Sequence, residues 1–121
     1  TYVAYCFSEV PGYSKFGSYV GNGSADGPFV YLGFRPKFIL AKSSTTAATN
    51  WFICDTSRSP ENAADEWLLP NGSHAEQAQV VFDILSNGFK LRNGGAEFNA
   101  NGSTYIYMAF AENPFKNSLA R

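Results

Sequence analysis

Apolar and polar residues along this chain alternate with a period of two, the repeat of a strand half-buried in a sheet, and not the 3.6 of a helix. The clearest case is Phe89-Lys90-Leu91-Arg92, which puts Phe89 and Leu91 on one face and Lys90 and Arg92 on the other. The run 80–85 before it has strong strand propensity, and the intervening Asn87-Gly88 suits a type I′ turn, so the two runs predict a hairpin with Phe89 and Leu91 in the core. Asn-Gly recurs at Asn22-Gly23, Asn71-Gly72, Asn93-Gly94 and Asn101-Gly102, each read as a strand end. The intervals predict strands at 2–7, 15–20, 29–34, 37–42, 51–55, 66–69, 80–85, 89–92, 96–99 and 104–111. Pro36 stands where a strand can start without its N–H, ahead of the continuous apolar run 38–42 of a central strand. Only 62–67 and 73–79 leave room for a helical turn, the latter with a capping-box pattern from Ser73 to Glu76. About ten short strands with such punctuation predict an all-β fold, an antiparallel β-sandwich of jelly-roll or concanavalin-like type.

The 121 residues suit one domain over 1–121, and 45% hydrophobic content with 16% charged residues excludes disorder. A net charge of −1 lacks the basic footprint that phosphate backbones require, so no nucleic-acid partner is expected. No run reaches the roughly 20 apolar residues of a span, so no membrane insertion is expected. Thr1 in place of Met predicts a fragment or a processed product. Cys6 and Cys54 lie in apolar runs with no zinc or redox spacing and read as two buried thiols.

Catalytic chemistry has little to stand on. His74 is the single histidine and lies in a polar loop, and no Gly-x-Ser-x-Gly motif occurs. Asp55, Glu61, Asp65 and Glu66 cluster in sequence near Trp51 and Trp67 but read as solvated carboxylates, without EF-hand spacing for calcium. No metal, no cofactor and no enzymatic activity are expected. The glycine-rich stretch 21–28 lacks the Lys-Ser/Thr ending of a phosphate loop and reads as a connection that turns at Asp26-Gly27-Pro28. Aromatic content carries more information. Eleven Phe, seven Tyr and two Trp exceed what a small core absorbs, so some rings belong to a ligand site or a subunit contact. Tyr13, Tyr19, Tyr31, Tyr105 and Tyr107 are candidates for half-wet positions. Trp51, Trp67, Arg58 and Tyr31 are the candidate ligand-binding residues, with the two tryptophans as walls of a sugar groove.

An internal repeat joins the two ends of the sequence. Residues 1–11, Thr-Tyr-Val-Ala-Tyr-Cys-Phe-Ser-Glu-Val-Pro, align without a gap on 104–114, Thr-Tyr-Ile-Tyr-Met-Ala-Phe-Ala-Glu-Asn-Pro, at a constant offset (104 − 1 = 103). Either the first and last strands lie side by side in one sheet, or 1–11 is the closing strand of a preceding tandem copy or an exchanged strand. Tyr2, Tyr5, Phe7, Tyr105, Tyr107 and Phe110 are therefore the candidate assembly residues.

The blocks at 5–19, 21–31, 33–40 and 104–115 resemble a domain of bacteriophage tail and tail-fibre-like virion proteins from marine and environmental phages, often in tandem or beside concanavalin-like or SPRY-like modules. The resemblance implies a structural and adhesive module on a virion, in contact with other virion proteins and with copies of itself. By analogy with fibres it implies a homo-oligomer, a trimer in the simplest case. Host-surface glycan or protein would be bound through loops and exposed aromatics. The alternative is a purely structural virion or filament subunit with no ligand. Within the motifs, Gly33-Phe34-Arg35-Pro36 and Ser57-Arg58-Ser59-Pro60 read as strand-to-strand corners, with Arg35 reaching exposed carbonyls, and 43–50 as an exposed tip.

Overall fold

The computed structural model describes residues 1–114; Phe115, which ends the last of the motifs above, lies outside them. Eight strands form: β1 (Ser14–Val20), β2 (Phe29–Tyr31), β3 (Pro36–Ser43), β4 (Phe52–Asp55), β5 (Ala64–Trp67), β6 (Gln77–Leu85), β7 (Gly88–Leu91) and β8 (Thr104–Ala111). They make two antiparallel four-stranded sheets, ordered β1-β8-β3-β4 and β2-β7-β6-β5. The described residues contain no helix. Aromatic rings connect the sheets: Tyr19 and Tyr107 meet Phe89 at 6.1 and 5.6 Å, and Phe52 meets Phe82 at 5.9 Å. The two layers therefore share one core, and each fully buried ring contributes about 2–3 kcal/mol through burial.

The β6–β7 hairpin has the faces its alternation predicts. Phe89 and Leu91 are fully buried, while Lys90 pairs with Asp26 at 2.7 Å and Arg92 with Asp83 at 3.3 Å. Its turn differs from the expected one. Leu85 pairs with Gly88, so Ser86-Asn87 forms the loop, and neither Asn87 nor Gly88 takes left-handed φ. Gly88 serves a close approach instead, because a Cβ there would collide with the Val30 carbonyl oxygen and crowd the Phe29 ring at 3.0 Å. Of the Asn-Gly glycines only Gly23 and Gly102 have positive φ.

Two expected strands do not form. Residues 96–99 lie in a turn, where the Phe98 and Asn99 N–H groups both bond to the Gly95 carbonyl. The fully buried Asn99 is satisfied there by Asn22 and Ser24 and thereby anchors the 21–28 connection. Residues 2–7 form no strand and are exposed, so the expectation that the first and last strands lie side by side is overturned; β8 lies between β1 and β3. The cause is local. Val10 bridges Ser14 through a turn at Gly12, whose φ is 75°, but the Glu9 carboxylate then accepts the Phe16 N–H at 3.1 Å. That N–H faces the open edge of β1 and is a donor that a continuing hairpin would need.

Smaller differences follow from side-chain competition and burial. The strand expected at 66–69 forms at Ala64–Trp67, with Leu68 kept only in an isolated bridge to Ile53. No helical turn forms at 62–67 or 73–79; Asn62 bonds both backbone groups of Ile84 instead, at 2.8 and 2.7 Å. Cys54 is buried, but Cys6 is an exposed thiol, because the segment that carries it has no partner strand. Arg35 does reach a carbonyl, donating to Ile84 at 3.0 Å, and Pro36 does begin its strand.

Candidate functional site

In the middle of the β1-β8-β3-β4 sheet apolar residues stand on both faces, while Lys15, Ser18, Lys42 and Asp55 lie toward the edges and strand ends. Tyr105, Tyr107 and Ala109 of β8 point into the core with Ile39, Ala41, Phe52 and Cys54. The opposite set leaves a second apolar surface on the outside. Cross-strand register aligns Phe16, Met108, Leu40 and Ile53 into one transverse row spanning all four strands, each residue half-buried. Beside that row Phe110 is the hub of an aromatic cluster, 6.0 Å from Tyr13 and 6.1 Å from both Phe16 and Phe38. Phe7 extends the cluster by stacking on Phe16 at 5.4 Å. Ion pairs border the face, with Glu112 on Arg35 at 2.9 Å and Glu9 on Lys15 at 3.8 Å. The other sheet presents the charged pairs of Lys90 and Arg92 at outward positions, so the outer apolar row belongs to one layer.

Trp51 borders this surface. Its ring is half-buried beside a shallow groove lined by Leu40, Ile53, Pro70 and Asn71, with Lys42 Nζ 5.9 Å from the ring centroid. Its backbone is fixed by the Asn71 side chain, which accepts the Trp51 N–H at 2.9 Å and donates to Asn50. Lys42 is held over the ring by donating to the Thr49 carbonyl at 2.7 Å.

The other candidate ligand residues do not gather around Trp51. Trp67 is 7% exposed and packs edge-on against Phe98 at 4.9 Å, in the core and not in a groove. Tyr31 is 63% exposed but lies on β2, in the opposite sheet. Arg58 is held between Asp55 and Glu76, the latter at 2.6 Å. Burial alone would raise the Asp55 carboxyl, but hydrogen bonds from the Arg58 guanidinium and from the Arg58 and Ser57 backbones outweigh it and hold that carboxyl below the usual carboxylate range. An open cleft of ≈ 550 Å³ beside Arg58 has part of its lining engaged within the fold: Ser59 Oγ accepts the N–H groups of Asp65 and Glu66, and Asn62 is bound to Ile84. His74 is exposed, and among the described residues no group of three or more His, Cys, Asp or Glu side chains converges as metal ligands.

The candidate assembly residues divide into two groups. Tyr105 and Tyr107 are buried in β8, where burial raises their phenol groups above the ordinary value. Phe110 faces outward in the cluster. Tyr2, Tyr5 and Phe7 are exposed by 101%, 83% and 60% in the arm that precedes β1. Tyr19, expected at a half-wet position, is also buried, while Tyr13 and Tyr31 are exposed. The alternation along the chain does not reveal the transverse row, although 104–111 carries a signal for it: nearly every residue of that run is apolar or aromatic, as a strand covered on both faces requires.

The chain belongs to the family described as a domain of unknown function, DUF7483, whose model matches residues 1–114. That match takes in all eight strands and both copies of the repeated sequence. Neither curated proteins nor solved structures return a match to the chain.

Proposed function

We propose that this member of the family is a structural module of a phage virion appendage, a β-sandwich that joins neighbouring subunits through the outer face of the β1-β8-β3-β4 sheet. The observation that carries the reading is the row Phe16, Met108, Leu40 and Ile53, an apolar band across a whole sheet with ion pairs at its border. A second copy of the chain is the occupant that fits best, because an uncharged band of similar residues across four strands is complementary to itself under a two-fold or cyclic arrangement. The virion setting rests on the resemblance of the motifs. Nesting of β1 against β8 in one sheet and of β2 against β7 in the other supports a jelly-roll type of winding over a concanavalin-like one.

Light scattering over a range of concentration tests the reading. The wild-type chain is expected to associate into a defined oligomer, and Met108→Lys, at the centre of the row, to remain monomeric with an unchanged melting temperature. A wild-type chain that stays monomeric at millimolar concentration would refute it. Trp51 with Lys42 favours one further reading, adhesion to a host-surface glycan stacked on the indole. In that case Trp51→Ala removes glycan binding and leaves the oligomer intact.

A further inference from the structure

We infer that residues 1–11 are a second β8: a strand fitted to lie between β1 and β3 of another copy of this fold, which in its own chain is tied to β1 through Phe7, Glu9 and Val10 without joining a sheet. The inference extends the assembly reading by naming a copy of the same fold as the arm's partner, and it does not depend on the outer apolar row.

The argument begins with which residues are identical in the two segments. Thr1, Tyr2, Phe7, Glu9 and Pro11 match Thr104, Tyr105, Phe110, Glu112 and Pro114. In β8 three of these side chains make contacts specific to that slot. Tyr105 is fully buried, stacked on Tyr19 at 5.0 Å; its hydroxyl donates to the Ala96 carbonyl at 2.6 Å and accepts the Ala100 N–H at 2.8 Å. Phe110 is the hub of the outer aromatic cluster. Glu112 pairs with Arg35 at 2.9 Å, while its N–H bonds to the Arg35 carbonyl at 2.9 Å.

In the unit that carries it the arm reproduces little of this set. Tyr2 is fully exposed, Phe7 is 60% exposed and among the described rings meets only Phe16, at 5.4 Å, and Glu9 is engaged by the Phe16 N–H and Lys15 and not by Arg35. The arm also keeps the phase of β8. Tyr2, Ala4 and Cys6 correspond to the inward Tyr105, Tyr107 and Ala109, and Val3, Tyr5 and Phe7 to the outward Ile106, Met108 and Phe110. Addition of the arm to the open edge of β1 would leave Tyr2 with no pocket, and Glu9 already occupies a donor on that edge. A strand placed between β1 and β3 is hydrogen-bonded on both sides, which makes it a firmer link between copies than edge addition. In each chain that slot holds its own β8, so the acceptor is a copy in which the arm replaces that strand.

A chimera of the full chain tests this directly. Residues 104–114 are rewritten with the arm's sequence by Ile106→Val, Tyr107→Ala, Met108→Tyr, Ala109→Cys, Ala111→Ser and Asn113→Val. Because Tyr107→Ala opens a cavity in this copy, the same rewrite with Tyr107 retained is made in parallel. Ala109 is fully buried, so a strand seated in register protects the thiol introduced by Ala109→Cys. At least one chimera is expected to unfold cooperatively, with that thiol alkylated about 100-fold or more slowly than Cys6 in the native state. If both chimeras lose cooperative unfolding, or the new thiol reacts as fast as Cys6, the inference is wrong. Neither result bears on Met108→Lys and the outer row.

Discussion

One sequence phrase occurs twice in this molecule with two outcomes. At 104–111 it is a central strand, hydrogen-bonded on both sides and holding a fully buried tyrosine; at 1–9 it is an arm with its tyrosine in water. Composition and alternation are nearly the same, so strand propensity does not decide the difference. What decides it is the neighbours: β8 has β1 and β3 to pair with, whereas the arm meets only the edge of β1, where the Glu9 carboxylate ends the pairing. Strand formation in sheets is set by context more than by intrinsic preference, and this pair isolates that effect within one chain.

The largest way to sharpen the contrast is at the matched tyrosines. Tyr105→Ala should cost about 4 kcal/mol in denaturant unfolding, from the lost ring and a cavity, while Tyr2→Ala should change stability by less than about 0.5 kcal/mol. The matched phenylalanines should differ less. Phe110→Ala, at a half-buried position, should cost about 2 kcal/mol and Phe7→Ala under about 1 kcal/mol. The glutamates should differ least in stability: Glu112→Gln should lose about 0.5–1 kcal/mol from a partly exposed ion pair, and Glu9→Gln nothing measurable. An arm substitution as damaging as its β8 counterpart would mean that the arm is packed into its own unit.

Acid sensitivity should likewise come from the folded unit. The Asp55 carboxyl has a folded pKa below its unfolded value of about 3.9. Its stabilisation is therefore fully present above the unfolded value and is lost as pH falls through the folded one. Asp55→Asn should flatten the acid limb of a stability-against-pH profile, and Glu9→Gln should leave that limb unchanged. The smallest effect is chemical: in the native chain an alkylating reagent should modify Cys6 and spare Cys54, whose thiol is buried and raised by desolvation, with both modified once the chain is denatured.

Much of the fold is legible in the sequence where alternation and burial agree. Phe89 and Leu91 declare their face, Pro36 marks a strand start, and the run from Phe38 to Lys42 announces a strand inside a sheet. The expectations that fail do so where a side chain competes with the ladder. Asn99 holds a turn in place of a strand, Asn62 caps Ile84 in place of a helix, and Glu9 takes the N–H that would have continued a hairpin. The candidate site was harder to see. Trp51 and Trp67 have the same residue type and similar neighbours in sequence, yet one borders the outer face and the other packs on Phe98, because the parity of each strand position is fixed only by tertiary register. The transverse row joins residues from four strands far apart in sequence, and no local pattern contains it.

Native-state hydrogen exchange on the full chain, in solution dilute enough for it to be monomeric, reads both copies of the phrase in one experiment. The amides of residues 2–8 should exchange at rates close to those of an unstructured peptide, while those of 105–110 should be protected by at least about 1,000-fold, near the limit set by global unfolding. Equal protection of the two segments in the monomer would mean that the arm is a strand of its own unit after all, whereas protection that appears only on association would place it in another copy.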